Sequence, residues 1–364
     1  MTAFSWVLAA GLTAVSLRPG VRDSVPGPAV AVSGFVDFYY AFDFGRPATR
    51  DRAFTTQAVR HNEANVNLAA ISLAVERERI RGRITLQAGT SVQSNYAGEP
   101  EEGPTSGAAL IRHIQEAYAG LRLAPGLWLD TGISLGSLGW EVWVSRDNPT
   151  YTRSLVAEYT PYYESGVRII WEPSPGLVVQ GHLMNGWQKI SEDNEAKSAS
   201  MRVDVPLGSG VTVAAAGFLG NEQPRGAPRA TRLLGQTMVK ATPRHNLLVQ
   251  AQLDVGREDG AGGARRWWGA VGIARLGFAR RHAVVARLER FSDPDQVVAS
   301  TGTPAGLVVS GGSIGLDVTG PEGLLWRTEL RGLRGSEPLF PDAGRPATRK
   351  HNAVLVTSVS LTLR

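Results

Sequence analysis

The chain has 364 residues, 43% hydrophobic and 20% charged, with 42 glycines, 21 prolines and no cysteine. That apolar share excludes wholesale disorder, and the lack of cysteine excludes a disulfide framework, a thiolate nucleophile and cysteine-ligated metals. A net charge of +5, from 38 Lys+Arg against 33 Asp+Glu, is too mild and too evenly spread for a nucleic-acid footprint, so no nucleic-acid partner is expected.

From the N-terminus, Phe4 to Leu17 forms the one long charge-free apolar run. At roughly 14 residues it falls short of the about 20 that a spanning helix needs, and it suits the core of a signal peptide ending at Ala29-Val30-Ala31. No Lys or Arg precedes the run, and Arg18, Arg22 and Asp23 separate it from that cut, so an uncleaved tail is the competing reading. The division expected is a signal peptide and linker over 1–31 and one β-barrel domain over 32–364.

After Val32 short stretches alternate apolar and polar with a period of two, the pattern of strands whose faces meet different surroundings. Leu247, Val249, Ala251, Leu253 and Val255 share one face, with Gln250, Gln252 and Asp254 on the other. Such stretches number about 16, each long enough to cross a bilayer at a tilt. The first starts near Val32. The rest centre near Leu68, Ile84, Ala119, Leu129, Ile169, Leu183, Val203, Val213, Thr237, Ala251, Val271, Leu288, Ile314, Thr328 and Val359. Their connections alternate between tight turns, such as Ala124-Pro125-Gly126 and Pro173-Ser174-Pro175-Gly176, and long polar loops, such as Arg46 to His61, Gly136 to Ser165 and Gly335 to His351. Sorted short and long connections describe an all-β transmembrane antiparallel barrel with short periplasmic turns and long extracellular loops. A soluble two-sheet sandwich does not sort its loops this way.

In such a barrel the apolar face meets lipid and the polar face lines the interior, which at about 16 strands leaves an aqueous channel. Trp128, Tyr118, Trp171, Trp187, Trp267, Trp268 and Trp326 are candidates for interfacial girdles, with ordinary strand packing as the alternative. The hexapeptide GRPATR occurs at 45–50 and again at 344–349; closure of the barrel makes those two loops neighbours, although chance in an Arg-rich chain is the leading explanation of the repeat.

Particular stretches point to a family. SGFVDFYYAFDF from Ser33, RHNEANVNLA from Arg60, QEAYAG from Gln115, LWLDTGI from Leu127, DNPTYTRSL from Asp147, PYYESG from Pro161, NGWQ from Asn185 and STGTPAG from Ser300 together resemble the OmpL-like β-barrel porin-2 family. The resemblance implies a bacterial outer-membrane porin through which small hydrophilic solutes or ions diffuse passively. It implies no cofactor. The implied partners are outer-membrane lipid and the barrel-assembly machinery, with a homo-oligomer left open. Outer-membrane barrels usually end in an aromatic residue, whereas this chain ends Leu363-Arg364.

A pore works by shape and field, so the candidate residues are inward charges and any loop folded into the channel. The strand phases place Arg79, Arg81, Arg83, Arg122, Arg168, Arg202, Arg327 and Arg331 on the inner wall. Glu116, Asp130, Asp204, Asp254, Asp317 and Glu329 share that face and are available to pair with them. These residues either set selectivity or form a charge ladder that stiffens the wall. Arg81 and Arg83, if uncompensated, give a mild preference for anions. The connection from Gly136 to Ser165 is dense in Trp and Tyr and carries Arg146, Asp147, Arg153 and Glu158. It is expected to constrict the channel with its charges facing the permeant, the alternative being a lid over the outer mouth. Two rival classes stay open, a non-conducting scaffold or adhesin barrel and an outer-membrane enzyme. For the enzyme, the six histidines fall in loops and scattered strands without a Gly-x-Ser-x-Gly elbow or a His-Glu-x-x-His helix.

Overall fold

Every stretch of period-two alternation becomes a strand in the computed structural model, which describes residues 30–363. The expected signal peptide lies outside the described residues as far as residue 29, while Val30 and Ala31 of the expected cut stand in the first strand. The first strands are β1 (Val30–Asp43), β2 (Ala64–Glu76), β3 (Ile80–Ala88), β4 (Ile114–Ala124), β5 (Leu127–Leu135), β6 (Tyr163–Ser174), β7 (Leu177–Met184) and β8 (Ser198–Pro206). They continue with β9 (Val211–Asn221), β10 (Thr231–Arg244), β11 (Leu247–Gly260), β12 (Gly263–Ala279), β13 (His282–Asp293), β14 (Leu307–Thr319), β15 (Leu325–Gly335) and β18 (His351–Leu363). Between β15 and β18 a loop hairpin holds β16 (Phe340–Asp342) and β17 (Arg345–Arg349). Each barrel strand pairs antiparallel with its chain neighbour, and β1 pairs with β18 from Gly34 opposite Leu363 to Asp43 opposite Val354, which closes the sheet. Lipid satisfies no open strand edge, and closure leaves none.

The turns at one rim are as tight as their Gly and Pro content suggests. Gly126 takes φ 72° between β4 and β5, and a Cβ there would lie 2.4 Å from the Glu172 carbonyl oxygen, so only glycine fits. The long connections gather at the other rim; the exception is the β11–β12 link, a turn of two residues, Ala261 and Gly262. The two GRPATR copies do meet there, since Gly344 N–H donates to the Arg46 carbonyl at 3.1 Å and Ala343 N–H to the Gly45 carbonyl at 2.9 Å.

Outward positions are apolar and open, with Leu288 76% and Ile314 61% exposed, as a lipid-facing wall requires. Aromatics on that wall form two bands. Trp171, Trp326 and Phe278 lie near the tight turns, and Trp268, Tyr40 and Phe44 near the long loops. Four girdle candidates are corrected: Trp128 and Trp267 are buried on the inner face, Trp187 packs edge-on against Trp267 and Phe218, and Tyr118 sits under the inward Arg168 guanidinium.

The inner face also departs from the expected all-polar lining. On β10, β12 and β13 it carries Leu234, Met238, Val271, Ile273, Val285 and Phe291, all buried. An apolar lumen wall is stable only when covered. The cover is the connection between β5 and β6, whose helical turn α1 (Leu155–Glu158) lays Val156 against Val271, Ile273 and Val285. Burying each such side chain stabilises by about 1.5–3 kcal/mol.

Candidate functional site

The lumen begins with β3 to β6, where alternation aims arginines and acids at one another across adjacent strands. Asp130 accepts from Arg81 Nε and Nη2, both at 2.8 Å, and from Arg168 Nη2 at 2.8 Å. One carboxylate thus answers two guanidiniums. Arg81 also lies 4.4 Å from the Trp128 ring centre, a cation–π contact that flattens it against the wall. Gly120 permits this packing, since a Cβ there would come within 2.2 Å of Asp130 Oδ1. Arg83 pairs with Glu116 at 3.3 Å. The condition on which Arg81 and Arg83 favour anions is therefore not met by Arg83, while Arg81 shares its carboxylate with Arg168. Arg79 is corrected as well: it lies in the tight turn before β3, exposed, where its carbonyl accepts from Arg122 N–H. Arg122 itself is half-buried at the same rim, 5.9 Å from Trp128.

Across the lumen the same two-to-one arrangement recurs. Asp317 accepts from Arg327 Nε and from Arg275 Nε, each at 3.0 Å. Above it Arg331 pairs with Glu289 at 2.7 Å, and Arg287 with Glu329 at 3.0 Å. On β8 Arg202 clasps Asp204 with two bonds of 2.8 Å. On β11 Asp254 accepts from Gln236 at 2.8 Å and Gln252 at 2.9 Å. Arg275, Arg287 and Glu289 are wall residues that strand phase does not reveal, because β12 and β13 also carry apolar residues on the inner face and their polarity pattern is mixed.

Many of these wall groups hold the β5–β6 connection inside the barrel. Arg202 donates to the Ser137 and Gly139 carbonyls at 2.8 Å each. Gln236 and Gln252 accept from Gly139 and Trp140 N–H at 3.0 Å. Arg327 donates to the Ser145 carbonyl at 2.8 Å and to that of Pro149. Glu329 accepts from Thr152 N–H at 2.7 Å, and Glu289 from Leu155 N–H at 2.7 Å. Asp37, on β1 and absent from the candidates, accepts from Ser145 Oγ at 2.7 Å and Tyr151 OH at 3.2 Å. The connection is thus a folded insert touching the wall all round, and no lid over the mouth. Its deep end reaches the tight-turn rim, where Arg146 donates to the Gly323 carbonyl.

Within this insert the four charges divide. Arg153 is fully buried, 3.6 Å from the Tyr162 ring centre, and Glu158 accepts from Thr56 Oγ1 at 2.6 Å and Thr56 N–H at 3.1 Å. Those two tie the insert to the first long loop and do not face a permeant, because a charge buried in protein must find its partner there. Arg146 and Asp147 are half-buried at the deep end. Burial pushes the Asp147 carboxyl up to about 6, against a smaller opposing pull from Arg146. Glu141, buried beside Ser154, is raised by the same cause.

A family model described as "Putative beta-barrel porin-2, OmpL-like" matches residues 29–363. A comparison with curated proteins finds no match. Among solved structures, OmpF of Salmonella typhi in complex with daunomycin aligns at TM-score 0.60 and 11% identity, over 92% of this chain and 97% of that one. The anion-selective porin of Comamonas acidovorans aligns at TM-score 0.58 and 9% identity, over 92% and 99%. The trimer form of OmpT from Vibrio cholerae aligns at 0.59 and 9%, over 92% and 98%. At such identity these likenesses establish the fold.

Proposed function

Because the chain belongs to the OmpL-like β-barrel porin-2 family and resides in the bacterial outer membrane, we propose that its lumen is a passive diffusion path for small hydrophilic solutes, narrowed by the β5–β6 insert and favouring anions. The observation that carries this reading is the sharing of one carboxylate by two guanidiniums, at Asp130 with Arg81 and Arg168 and at Asp317 with Arg275 and Arg327. Each cluster keeps a surplus positive charge within a low-dielectric wall, where fixed charge attracts counter-ions strongly. Arg83 with Glu116 and Arg202 with Asp204 are balanced and contribute little. Lys240, inward on β10 and 5.8 Å from the Trp140 ring centre, adds to the excess.

Planar-bilayer recording of refolded protein in a salt gradient tests both parts. A conducting pore with a reversal potential of anion-selective sign is expected, and cation selectivity overturns the charge argument. The contact of Arg146 with Gly323 means that the insert runs the depth of the lumen, which favours a second reading, a plugged and non-conducting scaffold. A trace closed at all voltages would select it. A homo-oligomer is the further assembly to test, by light scattering of the unheated protein, since the Vibrio cholerae OmpT structure takes a trimer form.

A further inference from the structure

The outer wall holds a row of bases where lipid is expected. In the register of β12 to β18, Ala270 stands opposite Arg290, Arg290 opposite Ser310, Ser310 opposite Arg334, and Arg334 opposite His351. All five positions point outward, and Arg290, Arg334 and His351 are exposed. The row lies toward the long-loop rim, in the outer-leaflet half of the wall. Arg290 donates to the Ser310 hydroxyl at 2.5 Å, and Arg349 from the loop hairpin contacts His351 at 3.1 Å. Among the described residues no carboxylate pairs with Arg290 or Arg334. This contrasts with the inner wall, where Arg287, Arg327 and Arg331 each have an acid.

Directly beneath, two residues closer to the tight turns, the next outward row reads Gly272, Leu288, Gly312, Gly332 and Ala353. A Cβ on Gly272 or Gly332 would meet nothing within 4 Å, so these glycines leave a shallow trough in the surface. A guanidinium facing hydrocarbon is costly, and more so with depth. Unpaired bases over an apolar trough match a molecule with an anionic head and acyl chains.

We propose that Arg290, Arg334 and His351, with the open surface at Gly272 and Gly332, bind a phosphate-bearing lipid of the outer leaflet. A second copy of the chain fits less well. It would have to answer two arginines with outward carboxylates, and in the long-loop half of the strands the one outward carboxylate among the described residues is Asp259, held by Arg257 at 2.6 Å.

The test uses full-length refolded barrel in neutral detergent, with diphosphoryl lipid A as probe and dephosphorylated lipid A and phosphatidylcholine as controls, read by native mass spectrometry. One lipid per barrel is expected with the diphosphoryl probe alone, not displaced by millimolar inorganic phosphate. Arg290→Ser with Arg334→Ser should weaken that binding at least about tenfold. Arg290→Lys with Arg334→Lys should retain most of it and guards against a folding defect, with heat-modifiable gel mobility reporting the closed barrel. Equal binding of the controls, unchanged binding by the serine pair, or full displacement by inorganic phosphate would each overturn the proposal. So would loss of an oligomer in the serine pair with no lipid bound to the parent protein, which would assign the surface to a second copy.

Discussion

Arg327→Ala separates the barrel from its insert. The guanidinium donates to the Ser145 carbonyl at 2.8 Å and to the Pro149 carbonyl, flanking the deepest turn of the insert, and to Asp317 at 3.0 Å. A hydrogen bond from a charged donor is worth about 1.5–3 kcal/mol net, so removing two weakens the seat of this turn by about 3–6 kcal/mol. Asp317 keeps Arg275 at 3.0 Å, so the wall is left with no unanswered carboxylate and the strands should remain closed. A shift of this size changes the docked-to-released ratio of the turn by about 10² to 10⁴. The bonds of Tyr151 to Asp37, Leu155 to Glu289 and Thr152 to Glu329 still hold the rest of the insert. Single-channel recording should therefore show a larger or flickering conductance, with limited proteolysis cutting within 142–150 while gel mobility stays that of the closed barrel. Arg275→Ala, which removes a contact to Asp317 and none to the insert, serves as the control. Wild-type conductance and noise in Arg327→Ala would refute the anchoring role.

Asp130→Asn leaves Arg81 and Arg168 without their shared carboxylate and should move the reversal potential further toward anion selectivity; Arg81→Ala with Arg168→Ala should move it back. Gly120→Val places methyl groups where a Cβ alone already meets Asp130 Oδ1 at 2.2 Å, and should cost about 1–3 kcal/mol in urea unfolding and disrupt the Arg81 pair. Asp147, raised from 3.8 to about 6 by burial, makes docking of the insert strongest below pH 4, and this stabilisation, about 2–3 kcal/mol, is lost as pH rises through 6. Channels at pH 4 should then be quieter than at pH 7, with Asp147→Asn quiet at both; noisier channels at low pH would contradict the sign. Since the chain has no cysteine, Thr49→Cys and Ser174→Cys give clean topology probes: an impermeant maleimide should reach the first in intact cells and the second only after lysis, and the reverse would invert the barrel.

What the sequence made legible was periodicity, and what it hid was which neighbours each face meets. Every strand centre from Leu68 to Val359 falls within its strand, because alternation needs only local residue types. Trp128 shows the limit. It shares its face with Asp130, two residues on, so assigning the acid to the lumen and the tryptophan to lipid contradicted the period itself; the structure resolves this by laying Arg81 on the ring. Arg79 continues the β3 phase in sequence but stands one residue before pairing starts, so the period does not fix its side. On β12 and β13 no local pattern would have served, since Val271, Ile273 and Val285 face inward only because Val156, more than a hundred residues earlier in the chain, returns to cover them. The same long-range contact decides the chemistry of the insert: a loop folded into protein spends its charges on its own docking, as Arg153 and Glu158 do, so charge in such a loop marks a permeation site only where the wall leaves it unanswered. By that criterion the proposed anion preference rests on the strands, at Asp130 and Asp317, where two guanidiniums converge on one acid.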